Sequence, residues 1–269
     1  MIPYVTIPPL SLGPLHLAPF SLLVAAGIVV TYLAIVFRAN NTGIDPKVAS
    51  DLCVWMLLFA VPGAVLFKYV YVYHQPELAT GTGCHYMGIS SFGGIGGGLV
   101  GAAAFFFWRR IASKERWQYM NLVASRFPIG LAFGRAGCAL AHDHPGIRSA
   151  NWLAVRYPEG ARYDLGLLEL MFLILVVGAF VALGGRRPSA PYLGLFLIPY
   201  GLFRFGIDRL HENPPAHLGI TIDHYASACA VLLGCWAILQ DTGSAETKRS
   251  ATQSRPPLAG AARIQEERS

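Results

Sequence analysis

The sequence predicts an all-α, polytopic membrane protein of about seven transmembrane helices, its N-terminus outside and its C-terminus in the cytoplasm. Three observations carry that reading. The 269 residues are 54% hydrophobic and 13% charged, with a mean hydropathy of +0.46, whereas soluble domains carry about 25% charged residues. The apolar residues fall into seven runs, and a helix needs about 20 such residues to cross the hydrocarbon. Lys and Arg, finally, are segregated between alternate connections.

The runs span roughly 17–37, 50–73, 91–111, 119–140, 165–184, 191–210 and 222–240. Turn-forming clusters separate them, among them Asn40-Asn41-Thr42-Gly43, His74-Gln75-Pro76, Gly184-Gly185-Arg186-Arg187-Pro188 and Asn213-Pro214-Pro215. Lipid offers no hydrogen bonds to a backbone, so each run is expected to be a helix. No internal repeat is evident. Residues 1–240 are expected to form the membrane domain, and the polar stretch 241–269 a disordered cytoplasmic tail.

One set of connections holds 13 Lys and Arg: Arg38, Lys47, Arg109, Arg110, Lys114, Arg116, Arg186, Arg187 and five in the tail. The opposite set holds 3: Arg148, Arg156 and Arg162. The net charge of +6 therefore reads as a positive-inside bias, and not as a nucleic-acid surface. All eight His lie in outer connections or at outer helix ends. The first basic residue, Arg38, follows the first apolar run, so no cleavable signal peptide is expected. The five Cys form no C-x-x-C pattern, and a pairing of Cys84 with Cys138 is left open.

Five basic residues fall within or at the ends of apolar runs: Lys68, Arg126, Arg135, Arg204 and Arg209. A charge inside a membrane is costly unless paired or hydrated, so each is a site candidate. Lys68 and Arg126 are near enough to helix ends to snorkel, and Arg209 is at the outer boundary. Arg135 and Arg204 sit deeper, in the outer portions of their runs. Tyr200, Arg204, Asp208 and His211 recur at spacings of 4, 4 and 3 and share one helical face; an Arg204–Asp208 pair is expected there. Arg135, Cys138 and His142 share a face if the fourth helix reaches that far, with His142-Asp143-His144 at the water boundary. Arg binds phosphate through two parallel hydrogen bonds. Two arginines converging at the outer level therefore suit a phospholipid head group, while an ion pair that only locks helices is the plainer alternative. At the same level lies Ser90-Ser91-Phe92-Gly93-Gly94-Ile95-Gly96-Gly97-Gly98. Its glycines expose backbone N–H groups to an anion or let two helices pack closely.

These residues, in order over most of 10–240, resemble the bacterial prolipoprotein diacylglyceryl transferases. Gly134-Arg135-Ala136-Gly137-Cys138 is similar to that family's Gly-Arg-x-Gly-Asn signature, and Tyr200-Gly201-Leu202-Phe203-Arg204 with Asp208 to its Tyr-Gly-x-x-Arg helix. Leu12-Gly13-Pro14-Leu15 resembles its outer N-terminal segment, and Leu167-Leu168-Glu169 stands where the family has Leu-Tyr-Glu. Phe92-Gly93-Gly94 occupies the place of a His-Gly-Gly motif, so Phe92 replaces the histidine as Cys138 replaces the asparagine; Ala141 and Asp143 replace a later Asn and Glu. An early tyrosine is Pro19 or Phe20 here, and the second run lacks an arginine.

The resemblance implies a seven-span enzyme that moves diacylglycerol from phosphatidylglycerol, or a related anionic phospholipid, onto the lipobox cysteine of a lipoprotein signal peptide. The products are a thioether and glycerol phosphate. Arg135 and Arg204 would stabilise the departing phosphate. His142, His144 and His211 are the candidates for the base, with Asp143 or Asp208 orienting it. Gly93, Gly94, Gly97, Cys138, Glu169, Tyr200 and His211 would line the substrate site. No cofactor or metal is expected. The alternatives are a non-catalytic phospholipid-binding protein, a metal site on His142, His144, His211 and Asp143, and a transporter, which the missing repeat disfavours.

Overall fold

The computed structural model describes residues 1–12, 15–74, 91–187, 189–212, 216–217 and 220–253. The connection 75–90, with Cys84 and His85, and residues 254–269 lie outside the described residues. Among the described residues eight helices form the body: α1 (Pro19–Thr42), α2 (Pro46–His74), α3 (Ser91–Trp108), α4 (Ser113–Ala124), α5 (Phe127–Ala141), α6 (Leu165–Arg186), α7 (Tyr192–Ile207) and α8 (Ile222–Gln253). Three are long and apolar enough to cross a membrane by themselves, Pro19–Thr42, Pro46–Phe67 and Leu165–Arg186, and Gly93–Trp108 is a shorter apolar helix. Their outer faces are apolar, with Leu33, Phe37, Leu58, Leu66, Ile174 and Leu175 exposed, as a lipid solvent demands. The last helix runs 13 residues past the boundary expected at 240, to Gln253.

The helices pack as pairs: α2 on α3, α1 on α5, α5 on α6, and α7 on α8. The α2–α3 seam has a physical cause in the glycines. A Cβ at Gly93 would lie 2.3 Å from the Gly63 carbonyl oxygen, and one at Gly97 would lie 2.3 Å from that of Phe59. Small residues four apart let two helix backbones nearly touch.

The expected fourth helix is two. The chain breaks at Ser125–Arg126 because Pro128 stands at the start of α5, where its missing N–H costs nothing. The preceding α4 is polar, SKERWQYMN over its first nine residues, and α5 alone continues as 15 residues, about 22 Å long.

The all-α expectation also needs correction between α5 and α6. There residues 145–164 form a three-stranded antiparallel sheet, β3 (Pro145–Arg148), β4 (Val155–Tyr157) and β5 (Gly160–Asp164), in the order β3-β5-β4. Among the described residues two further antiparallel pairs occur: β1 (Leu10–Leu12) with β2 (Leu15–Leu17), and β6 (Ala216–His217) with β7 (Ile220–Thr221). The β4–β5 turn closes Tyr157 onto Gly160, whose φ of +121° suits glycine. The N-terminus docks on this sheet, Ile2 donating to the Ala154 carbonyl. A bridge from Gly146 to His211 ties the sheet to the end of α7.

Candidate functional site

The site grows from one carboxylate. Glu169 lies one turn into α6, and its side chain is 1% exposed. An ionised carboxylate that deep must be paired and hydrogen-bonded. Arg135 on α5 meets it through Nε, 2.9 Å from Oε1. Arg204 on α7 meets it through Nη1, 2.9 Å from Oε2. The Tyr200 hydroxyl, one turn before Arg204, donates to Oε1 at 2.7 Å. The structure thus brings Arg135, Arg204, Tyr200 and Glu169 together across three helices.

Arg204 has a second partner that sequence reasoning missed. Its Nη2 pairs with Asp223 in the first turn of α8. The signal was available, since Asp223 is the one acid in the run 222–240, as Glu169 is in 165–184. The expected Arg204–Asp208 pair does not form. Helix α7 ends at Ile207, and Asp208–Leu210 tightens into a 3₁₀ turn, so the four-residue register is lost. The buried Asp208 carboxylate instead faces His224 Nδ1 at 2.8 Å and His211 Nδ1 at 3.3 Å.

The three candidate histidines separate. His142 caps α5 in the left-handed conformation, φ 51°, and is locked. Its Nδ1 lies 2.7 Å from Asp164 Oδ2, its Nε2 lies 3.1 Å from the Val5 carbonyl, and its ring stacks on Tyr4. Asp164, which sequence reasoning also missed, accepts from Leu167 N at the start of α6 and from the Tyr157 hydroxyl. It welds α5, the sheet and α6 together, so the shared face of Arg135, Cys138 and His142 ends at Cys138.

His144 goes a different way. It contacts Asp143 and Cys138. Burial opposes its charge, but the hydrogen bonds to Asp143 and Cys138 outweigh it and push the imidazole up to about 10. His211 is pushed the opposite way, below the ordinary value of 6.5, because burial outweighs the pull of Asp208 and Asp223, and Arg204 and His144 repel a proton there. Its buried Nδ1 lies 3.3 Å from Asp208 Oδ1 but is not aligned for a hydrogen bond with any of the described residues. His144 therefore holds its proton at neutral pH, and His211 is the neutral imidazole able to accept one.

Cys138 is a free, buried thiol whose Sγ lies 4.0 Å from Arg135 Nη1. It places the thiol between the arginine cluster and the Asp143–His144 pair. Gly93 and Gly97 lie on the α2–α3 seam, where a Cβ at either would overlap the α2 backbone. A Cβ on Gly94 would meet only Ala64 Cβ and the Ala60 carbonyl at van der Waals distance.

Comparison with known proteins decides what this arrangement belongs to. The family description "prolipoprotein diacylglyceryl transferase" matches residues 9–240. The chain is a member of that family. A phosphatidylglycerol–prolipoprotein diacylglyceryl transferase of Nitratidesulfovibrio vulgaris is 27% identical over 221 residues, covering 77% of this chain and 82% of its own. One from Thermosynechococcus vestitus is 24% identical over 237 residues, 82% of this chain and 87% of its own. One from Glaesserella parasuis is 32% identical over 128 residues, 44% and 47% respectively. The family is a transferase family, and its apolar helices make this member a membrane protein.

Proposed function

We propose that this member is itself a phosphatidylglycerol–prolipoprotein diacylglyceryl transferase of the bacterial inner membrane. Residues 1–240 cross the bilayer seven times, through α1, α2, α3, α5, α6, α7 and α8, and the rest forms a cytoplasmic tail. The placement of Lys and Arg, 13 against 3, supports an N-terminus outside and a C-terminus inside. The polar α4 then rests on the inner side as a lead-in to α5.

The observation that carries the proposal is the single carboxylate, Glu169, gripping both arginines. In the reaction a thiol attacks the glycerol carbon that bears the phosphate, the C–O bond breaks, and charge gathers on the leaving phosphate. Arg135 and Arg204 are positive groups already fixed in place before that charge develops. Glu169 and Tyr200 hold them so that little reorganisation is needed. Among the described residues Arg135 meets a carboxylate through Nε alone, and with Nη1 beside Cys138 Sγ its Nη2 is left to donate to a phosphoryl oxygen. His211 accepts the thiol proton, since His142 is engaged at both nitrogens and His144 is already protonated.

One observation favours a second reading. Glu169 and Asp223 neutralise the two arginines charge for charge, as in a protein that binds a phospholipid without turning it over. Labelled phosphatidylglycerol incubated with the purified protein and a lipobox peptide separates the two. Transfer to the peptide, lost on the order of 10²–10³-fold in Arg135→Ala and in Arg204→Ala, supports the enzyme. Lipid bound with no transfer supports the binder, and wild-type transfer in either variant overturns the roles given to the arginines.

A further inference from the structure

The replacement of an expected asparagine by Cys138 creates something that the arginine cluster does not use. Cys138 Sγ, an Asp143 carboxylate oxygen and a His144 ring nitrogen all lie within 4.8 Å of one another. Sulfur, imidazole and carboxylate are the three ligand types zinc prefers, with bonds of about 2.0–2.3 Å. A tetrahedral ion bound so would hold its ligands about 3.5 Å apart, inside that span, with the hydrogen-bonded Asp143 and His144 atoms moving apart to admit it. Asp143 and His144 follow the αL cap at His142 on a surface turn, and their side chains are 41% and 39% exposed, so they can adjust. Cys138 is buried, so the ion would sit at the mouth of the site with one side reached from outside.

We propose that Cys138, Asp143 and His144 bind a thiophilic divalent cation of the zinc type, whose fourth position takes the incoming lipobox thiol. The inference rests on the transferase reading for its substrate, but not for the metal itself. Three protein ligands and one open position is the arrangement of catalytic zinc. On binding the ion, Cys138 and His144 would release their protons; a thiolate, a carboxylate and a neutral imidazole around a 2+ ion then sum to zero charge, so the neighbouring Arg135 guanidinium does not repel the filled site. Coordination deprotonates a thiol outright, and the thiolate is the nucleophile. The substrate S–H proton passes to His211 or to water. The bound sulfur then attacks the glycerol carbon, and the C–O electron pair leaves on the phosphate held by Arg135 and Arg204. A neutral thioether, a poor ligand, departs. Arg135 stands between the two half-sites, Nε on Glu169 and Nη1 beside Cys138 Sγ.

Elemental analysis of the full-length protein, purified in detergent under reducing conditions without chelator, tests the site directly. About one zinc per chain is expected, falling at least tenfold in Cys138→Ser and in Asp143→Ala. Asp143 is exposed, so its variant folds and keeps the test open if Cys138→Ser does not. Cobalt substituted for zinc should give a thiolate charge-transfer band that Cys138→Ser abolishes. A chain that binds neither zinc nor cobalt, or binds them equally well in both variants, overturns the proposal. So does full transfer by a metal-free chain, which leaves the transferase reading intact. Zinc held through Cys138 in a chain that never transfers does the reverse: it supports the metal site and removes the transferase reading.

Discussion

Two helix contacts in this protein are made by opposite means. The α2–α3 seam closes by omission: Gly63, Gly93, Gly97 and Gly101 bring backbones together, with a Cβ at Gly101 only 2.5 Å from the Trp55 carbonyl oxygen. The α5–α6–α7 junction closes by insertion, with Glu169 reaching between Arg135, Arg204 and Tyr200. Lipid tails are as apolar as leucine, so apolar helices associate through close packing or interhelical polar bonds. A glycine seam costs no buried charge. A carboxylate seam is expensive to desolvate, and it is the one that presents oriented cations. The Arg109–Asp51 pair beside the glycine seam is exposed and adds little.

The contrast can be broken from either side, starting with the largest effect. Glu169→Ala leaves two buried guanidinium groups short of a partner and should cost about 3–5 kcal/mol, read as thermal unfolding in detergent, with transfer abolished. Glu169→Gln keeps the volume and should cost less stability while still losing most activity. If both substitutions leave activity unchanged, the carboxylate serves only to lock helices. Gly97→Val forces α3 off α2 and should cost about 1–3 kcal/mol by overpacking. Its residual folded fraction should still bind phosphatidylglycerol, because Arg135, Arg204, Tyr200 and Glu169 stand on other helices.

Asp164→Ala removes a helix cap worth about 1 kcal/mol and strands His142 and Tyr157. Unfolding temperature should fall modestly, and the head-group affinity should change little.

The smallest effect is a pH dependence. His211 is faced by Asp208, Asp223, Arg204 and His144, and its folded value lies below 6.5. As pH falls through 6.5 the unfolded chain takes up a proton that the folded chain refuses. The stability tied to His211 is therefore present above 6.5 and lost toward its lower folded value. The acid limb of transfer should likewise fall below pH 6.5, and His211→Gln should remove that limb along with most of the rate. A limb centred at or above 6.5 assigns the proton acceptor elsewhere.

Much of this was legible in the sequence because membranes make charges conspicuous. Arg135 and Arg204 stand in apolar runs where a cation needs a reason. Glu169 was reached through its place in a motif, and Tyr200 through its four-residue spacing to Arg204. What escaped notice depended on geometry that no spacing encodes. The Asp208 carboxylate turned to His224 because a 3₁₀ turn replaced the last helical turn, and Asp223 took its place from another helix. His142 left the expected face because one left-handed residue redirected it to Asp164. The strands of 145–164 are three to five residues long, too short for alternation to announce them. The break at Ser125–Arg126 was written in Pro128, inside a run that was apolar enough to read as continuous. The glycines of α3 serve two physical purposes equally well on paper, and the close approach of α2 that they permit could not be read from their spacing.

The most direct test of a shared phosphate is a double-mutant cycle on binding. Affinity for a short-chain phosphatidylglycerol is measured by phosphorus NMR for the wild type, Arg135→Lys, Arg204→Lys and the double variant. If both guanidinium groups hold one phosphoryl group, each single substitution weakens binding and the double loses far less than their sum, a coupling of about 0.5–3 kcal/mol. Strictly additive losses, or a single variant that binds as the wild type does, would mean that the two arginines serve separate ends.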